Sequence, residues 1–118
     1  MKDNLLIITK VKKTIMRLDK ITDNFSRNEI VLRDNIRTTM YQLLETCYMA
    51  NLIKEKRYDY QKEVLVKIKM LDFYLNVACS KKLLTSKQLE SIGEHLLETF
   101  ILVQAWIKSE NETKKSSV

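Results

Sequence analysis

The chain has 118 residues, 45 % of them hydrophobic and 31 % charged, with 21 lysines and arginines against 15 acids. A chain this long buries one core without disulfide or metal staples, and a net charge of +6 suits an anionic partner such as nucleic acid or an acidic protein face. No apolar run approaches a membrane span, and the apolar 5–8 run behind Lys2 and Asp3 is too short for a signal-peptide core, so a cytoplasmic protein is expected.

With one glycine and no proline, few residues stop a helix or enforce a turn. Four stretches carry apolar residues at alternating spacings of three and four. The first is Ile8, Val11, Ile15 and Leu18, placing a helix over residues 3–24 with Asp3 or Asn4 as its N-cap. Phe25 closes it, and Ser26-x-x-Glu29 has the form of a capping box opening a second helix that runs to about residue 53. That helix carries Leu32, Ile36, Met40, Leu43, Cys47 and Ala50. A charged join, Lys54-Glu55-Lys56-Arg57, separates it from a third helix over 59–80, with Asp59 as N-cap and Val64, Ile68, Leu71, Leu75 and Ala78 as its stripe. Thr85-x-x-Gln88 is a second capping box, opening a fourth helix to about residue 109 with Leu89, Gly93, Leu96, Phe100, Val103 and Ile107 on its seam.

A spacing that averages 3.5 keeps each stripe on one side of a helix, and short joins make neighbours antiparallel. The expected fold is all-α: an antiparallel up-down-up-down four-helix bundle over residues 1–109, with 110–118 a polar, disordered tail. Gly93 falls on the seam at a cost of about 1 kcal/mol relative to alanine, so a close helix approach is its expected gain.

Chemistry is sparse. One glycine cannot build a phosphate-binding loop. Glu90, Glu94 and Glu98 form a ladder at helical spacing but lack the Glu-x-x-His pairs of a di-iron bundle, and His95 is the only histidine. Cys47 and Cys79 read as reduced core residues rather than a disulfide or metal pair. No nucleophile–base pair emerges. A non-catalytic binding or scaffold protein is expected, without metal or cofactor.

The outer faces carry more pattern than a lone bundle needs. Val66, Met70, Phe73 and Val77 repeat at four, three and four, roughly opposite the seam of the third helix. In the fourth helix Ile101, Leu102, Ala105 and Trp106 lie outside the seam positions. Apolar surface in excess of one stripe is expected to bury against a second subunit, with Val66, Met70, Phe73, Val77 and Trp106 at the contact. Lys10, Lys13, Arg17 and Lys20 fall on one line of the first helix, opposite its stripe, while Arg33 and Arg37 lead into Tyr41, Leu44 and Tyr48. Such lines suit a phosphate backbone with unpaired bases, or else are a solvated face and a packing flank.

The run Phe25-Ser26-Arg27-Asn28-Glu29, followed by Leu32, Ile36 and Arg37, resembles the first helix junction of the Avd-like four-helix-bundle proteins. These are the accessory variability determinants of diversity-generating retroelements, related to proteins encoded in 23S ribosomal RNA intervening sequences. Tyr48, Ala50 and Asn51, then Arg57, the run Leu83-Leu84-Thr85-Ser86-Lys87-Gln88, and Glu98 with Trp106-Ile107-Lys108 also fit, so the resemblance spans most of residues 5–109. Ser26 stands where that family usually has proline, and Phe100-Ile101 and Gln104-Ala105 where it has glycine-containing pairs. The resemblance implies a cytoplasmic homopentamer that binds a reverse transcriptase and RNA through basic surface and supports mutagenic cDNA synthesis without catalysis. The alternative expectation is an oligomeric bundle that binds protein only.

Overall fold

In a computed structural model the protein is described over residues 2–116, with side chains over 5–113. It is an all-α, antiparallel four-helix bundle about 55 Å long and 23 by 19 Å across. The helices are α1 (Lys2–Thr22), α2 (Ile30–Leu52), α3 (Arg57–Ser80) and α4 (Ser86–Ser116). Each packs on its neighbour in the chain, α1 closes the bundle against α4, and the α2–α3 pair is the most intimate. Small buried residues, Cys47 and Ala50 on α2 and Ala78 on α3, suit that close pairing.

The α2 and α3 seams are those the apolar spacing gives: Ile36, Met40, Leu43, Cys47 and Ala50 face Val64, Ile68, Leu71, Leu75 and Ala78, all buried. The other two seams are rotated from their expected lines. On α1 the buried line is Ile7, Val11, Thr14, Leu18 and Thr22, with Ile8 beside it and Ile15 only half-buried. On α4 it is Ile92, Leu96, Thr99, Val103 and Trp106, which leaves Gly93, Phe100 and Ile107 on a half-buried flank. Threonines complete both lines because each buried hydroxyl finds a carbonyl one turn back: Thr14 on Lys10 at 3.0 Å, Thr22 on Leu18 at 2.8 Å, and Thr99 on His95 at 2.9 Å. A search for apolar residues passes over them. Thr46 on α2 does the same with Gln42 at 2.8 Å.

The joins differ from expectation in instructive ways. Thr85-x-x-Gln88 is a reciprocal capping box: Gln88 N–H donates to Thr85 Oγ1 at 3.0 Å and Thr85 N–H to Gln88 Oε1 at 2.9 Å. Ser26-x-x-Glu29 is not one. A short 3₁₀ turn, Arg27–Glu29, fills that join, Ser26 offers its carbonyl rather than its hydroxyl to Glu29 N–H, and the Glu29 carboxylate takes Lys81 at 3.1 Å instead. Asp59 is no N-cap either: α3 begins at Arg57 behind a second 3₁₀ turn, Lys54–Lys56, and Asp59 sits in the first turn. On α1, Asp3 and Asn4 lie within the helix, and any cap made by their side chains falls outside the described residues.

The end of α3 needs a left-handed residue to turn the chain, and Lys82 supplies it at φ 64°. Leu83 N–H reaches back to Ala78 O and Lys82 N–H to Cys79 O, both at 2.9 Å, so two terminal carbonyls are satisfied. Gly93, by contrast, meets no close helix: a Cβ there would find nothing within 4 Å. It opens a groove of about 240 Å³ between α3 and α4, lined by Ile68, Lys69, Asp72, Leu96, Leu97 and Phe100. α4 continues to Ser116, through most of the segment expected as a tail from residue 110; residues 117–118 lie outside the described residues. Glu110 gives a reason, pairing with Arg57 at 2.9 Å.

Candidate binding surfaces

The bundle lifts two kinds of surface to solvent, one cationic and one apolar. On α1 the seam turns Lys13 and Lys20 outward beside Met16, which is 67 % exposed. Neither lysine has an ion pair or hydrogen bond among the described residues. Lys12 joins them, its ammonium 5.7 Å from the Tyr48 ring on α2. Lys12 was missing from the expected line because it lies off the four-three spacing, yet the rotated seam brings it to the same face.

The other members of that line point elsewhere. Lys10 donates to Glu98 of α4 at 2.7 Å, and Arg17 Nη2 donates to Ser91 Oγ at 2.8 Å. Both lie on the α4 side of α1 rather than opposite its seam, so Lys10–Arg17 is a helix–helix contact line. The hydrogen bond from Lys10, and then its charge, hold the exposed Glu98 carboxyl below its ordinary pKa. Glu90 and Glu94 are exposed, as a wet face would have them. His95 is half-buried, and its Nδ1 has no hydrogen-bond partner.

On α2, Arg37 is a clamp on the end of α1: Nε donates to Thr22 Oγ1 at 3.0 Å and Nη2 to Asp23 at 2.6 Å, with Asp19 at 3.9 Å. Arg33 stays beside its neighbour Asp34 at 3.6 Å, too long for a hydrogen bond, and its buried Nε has no acceptor. Below them Tyr41, 52 % exposed, and Tyr48 border an apolar groove of about 400 Å³ completed by Leu44, Met49, Leu52 and Ile53. The α2 flank therefore offers aromatic and apolar surface, with Lys12 of α1 beside its Tyr48.

Arg57 does more than any other basic residue inside the chain. Its guanidinium donates to Ala50 O at 2.8 Å and Asn51 O at 2.9 Å, capping the end of α2, pairs with Glu110, and lies 5.6 Å from the Trp106 ring. This corrects Trp106 as a subunit-contact residue. It is 5 % exposed, a core residue of its own chain, because the α4 seam runs through positions 99, 103 and 106.

The rest of the expected contact surface is open. On α3, Val66 is 61 %, Met70 40 % and Phe73 59 % exposed, and Val77 is half-buried. On α4, Leu97 and Ile101 are exposed as well. Both cysteines are unpaired. Burial pushes the Cys47 thiol up to about 12, which keeps it protonated and unreactive at neutral pH. Among the described residues no group of three or more His, Cys, Asp or Glu could hold a metal, and no helix is long and apolar enough to cross a membrane. The chain matches no protein-family model, no curated protein and no solved structure.

Proposed function

We propose that this chain is a non-catalytic, self-associating bundle: a cytoplasmic accessory protein of a diversity-generating retroelement that holds a reverse transcriptase and its template RNA during mutagenic cDNA synthesis. The observation that carries the RNA half is the outward face of α1, where Lys13 and Lys20 have no partner among the described residues and Lys12 stands over the exposed Tyr48. Cations free of intrachain pairing can neutralise phosphates and release the counterions condensed on them, and a tyrosine beside them can stack on an unpaired base. The self-association half rests on the uncovered apolar ridge of α3. The retroelement itself rests on the resemblance of residues 25–37, 48–57, 83–88 and 98–108.

A protein-only scaffold is the second reading, and one observation favours it: Lys10, Arg17 and Arg37 are all engaged inside the chain, so the cationic surface is narrower than the residue types suggest. Titration of a fluorescent single-stranded RNA in the absence of any polymerase separates the two. Under the RNA reading, affinity falls with salt at a slope of about −0.7 per phosphate neutralised, and Lys13→Gln with Lys20→Gln flattens that slope by about 1.4. The same changes leave thermal unfolding unaltered, since neither side chain packs. Unchanged affinity and slope in the double variant would overturn the RNA reading and leave the scaffold.

A further inference from the structure

The free cations of α1 and the exposed tyrosines of α2 stand in register. Lys12 lies level with Tyr48, its ammonium 5.7 Å from the ring, and Arg37 lies level with Thr22 and Asp23, which it holds at 3.0 and 2.6 Å. These contacts fix how the two antiparallel helices sit against one another. By that register Lys13 falls within one residue of the level of Tyr48, and Lys20 within one residue of the level of Tyr41. The two lysine–tyrosine levels are seven residues apart on both helices, about 10.5 Å at 1.5 Å per residue.

The two margins of α1 differ. Toward α4, Lys10 and Arg17 are engaged by Glu98 and Ser91, and Glu90 and Glu94 continue the Glu98 line as exposed carboxylates. A phosphate backbone displaced to that side meets like charge. Toward α2, Asp19 and Asp23 are held by Arg37 at 3.9 and 2.6 Å, and past them lie Tyr41, Tyr48 and the apolar groove of about 400 Å³. Exposed Met16 falls on one line with Lys12 and Lys20. Glu45 is the one acid lining the groove, and it stands on α2, away from the lysines. A cationic line and an aromatic line therefore run side by side.

We infer that the valley between α1 and α2 takes an unpaired RNA strand, its phosphates along Lys12, Lys13 and Lys20 and its bases turned toward α2 onto the rings of Tyr48 and Tyr41. This rests on the RNA reading above and specifies its ligand. A stacked strand carries one phosphate per about 3.4 Å, so the two levels receive nucleotides about three apart, a footprint of about four. A ring face accepts any base, so binding is sequence-tolerant. A duplex keeps its base faces inside the stack and offers this surface phosphates alone.

Titration of the full-length protein into fluorescent oligouridylate, oligoadenylate and the duplex these two form tests the assignment. Tyr41→Leu and Tyr48→Leu should each lower affinity for both single strands about 10-fold, as loss of one base–aromatic stack does. The salt slope should stay unchanged, since no phosphate contact is lost, and duplex affinity should not move. Tyr41→Phe and Tyr48→Phe keep the ring and should bind like the parent. Both rings are exposed, so the leucine variants are expected to stay folded, which helical circular dichroism checks. Leucine variants that bind single strands like the parent, or that weaken the duplex equally, would overturn the base-stacking path. A salt slope that Lys13→Gln with Lys20→Gln still flattens would then uphold RNA binding, and the groove would be left to an apolar segment of a protein partner. Failure to bind any of the three probes would instead remove the RNA reading itself, and this inference with it.

Discussion

Replacing Gly93 with alanine should stabilise this protein, and the structure sets the size of the effect. Gly93 lies well inside α4, in helical backbone with no positive φ among the chain's glycines. Glycine in a helix interior costs about 1 kcal/mol relative to alanine, chiefly because the unfolded chain has more freedom to lose. Against that, a new methyl group would have to fit, and here it meets nothing within 4 Å. The groove it enters is open, so the added burial is a fraction of the ~0.8 kcal/mol of a fully buried methylene. The net expectation is a gain of about 1 kcal/mol, or roughly 3–5 °C in Tm for a domain of this size. In urea the midpoint should rise by about 0.5 M with an unchanged slope. Helical circular dichroism in dilute solution, where an assembly would dissociate, is the assay. A Gly93→Ala protein that melts at or below the parent temperature would refute the reasoning, because it would mean that a neighbouring side chain already fills the notch.

Other consequences follow from single observations. Lys82→Gly should gain about 1 kcal/mol, since lysine pays the left-handed strain that glycine does not; a lower urea midpoint would contradict the Schellman geometry at the end of α3. Arg57→Ala should cost about 3 kcal/mol by stripping two carbonyl bonds and an ion pair from a largely buried guanidinium, and amide exchange in the last turn of α2 should quicken; a loss below ~0.5 kcal/mol would mean that water replaces it freely. Gln61→Leu should raise stability by about 1 kcal/mol, because Gln61 is 1 % exposed and its Nε2 lacks an acceptor; destabilisation would reveal a partner such as an ordered water. For Cys47 the unfolded thiol ionises from its ordinary 9.0 while the folded one stays neutral to about 12, so stability should decline as pH rises between those values. Cys47→Ala should flatten that decline relative to the parent, and Ellman's reagent at neutral pH should label Cys79 but spare Cys47 until the protein unfolds.

The sequence by itself determined the architecture. A spacing averaging 3.5, unbroken by proline, has no stable home other than helices packed along seams, and Thr85 with Gln88 marks the start of α4 because a capping box is a local interaction between residues three apart. The α2 and α3 seams were legible for the same reason: their buried positions are all apolar apart from Thr46 and Gln61. On α1 and α4 they were not, because Thr14, Thr22 and Thr99 occupy seam positions. A hydroxyl that bonds its own helix is silent in a pattern of apolar residues, and the apparent stripe then slides by one position.

That slip decided the surface. It assigned Trp106 to a subunit contact when it belongs to the core, and it put Lys10 and Arg17 on an open face when they reach α4. Which lysine is free depends on which helix lies beside it, and that follows from the closure of α1 against α4, where the paired residues are 74 and 88 apart in the chain. The same holds for Glu29, whose carboxylate chooses Lys81 over its own helix end, and for Glu110, which Arg57 draws into the bundle. Local chemistry could name the helices and one of their caps. The partner of each charge and the rotation of each outer helix were decided by packing, where the energy of a contact depends on neighbours that the linear pattern does not contain.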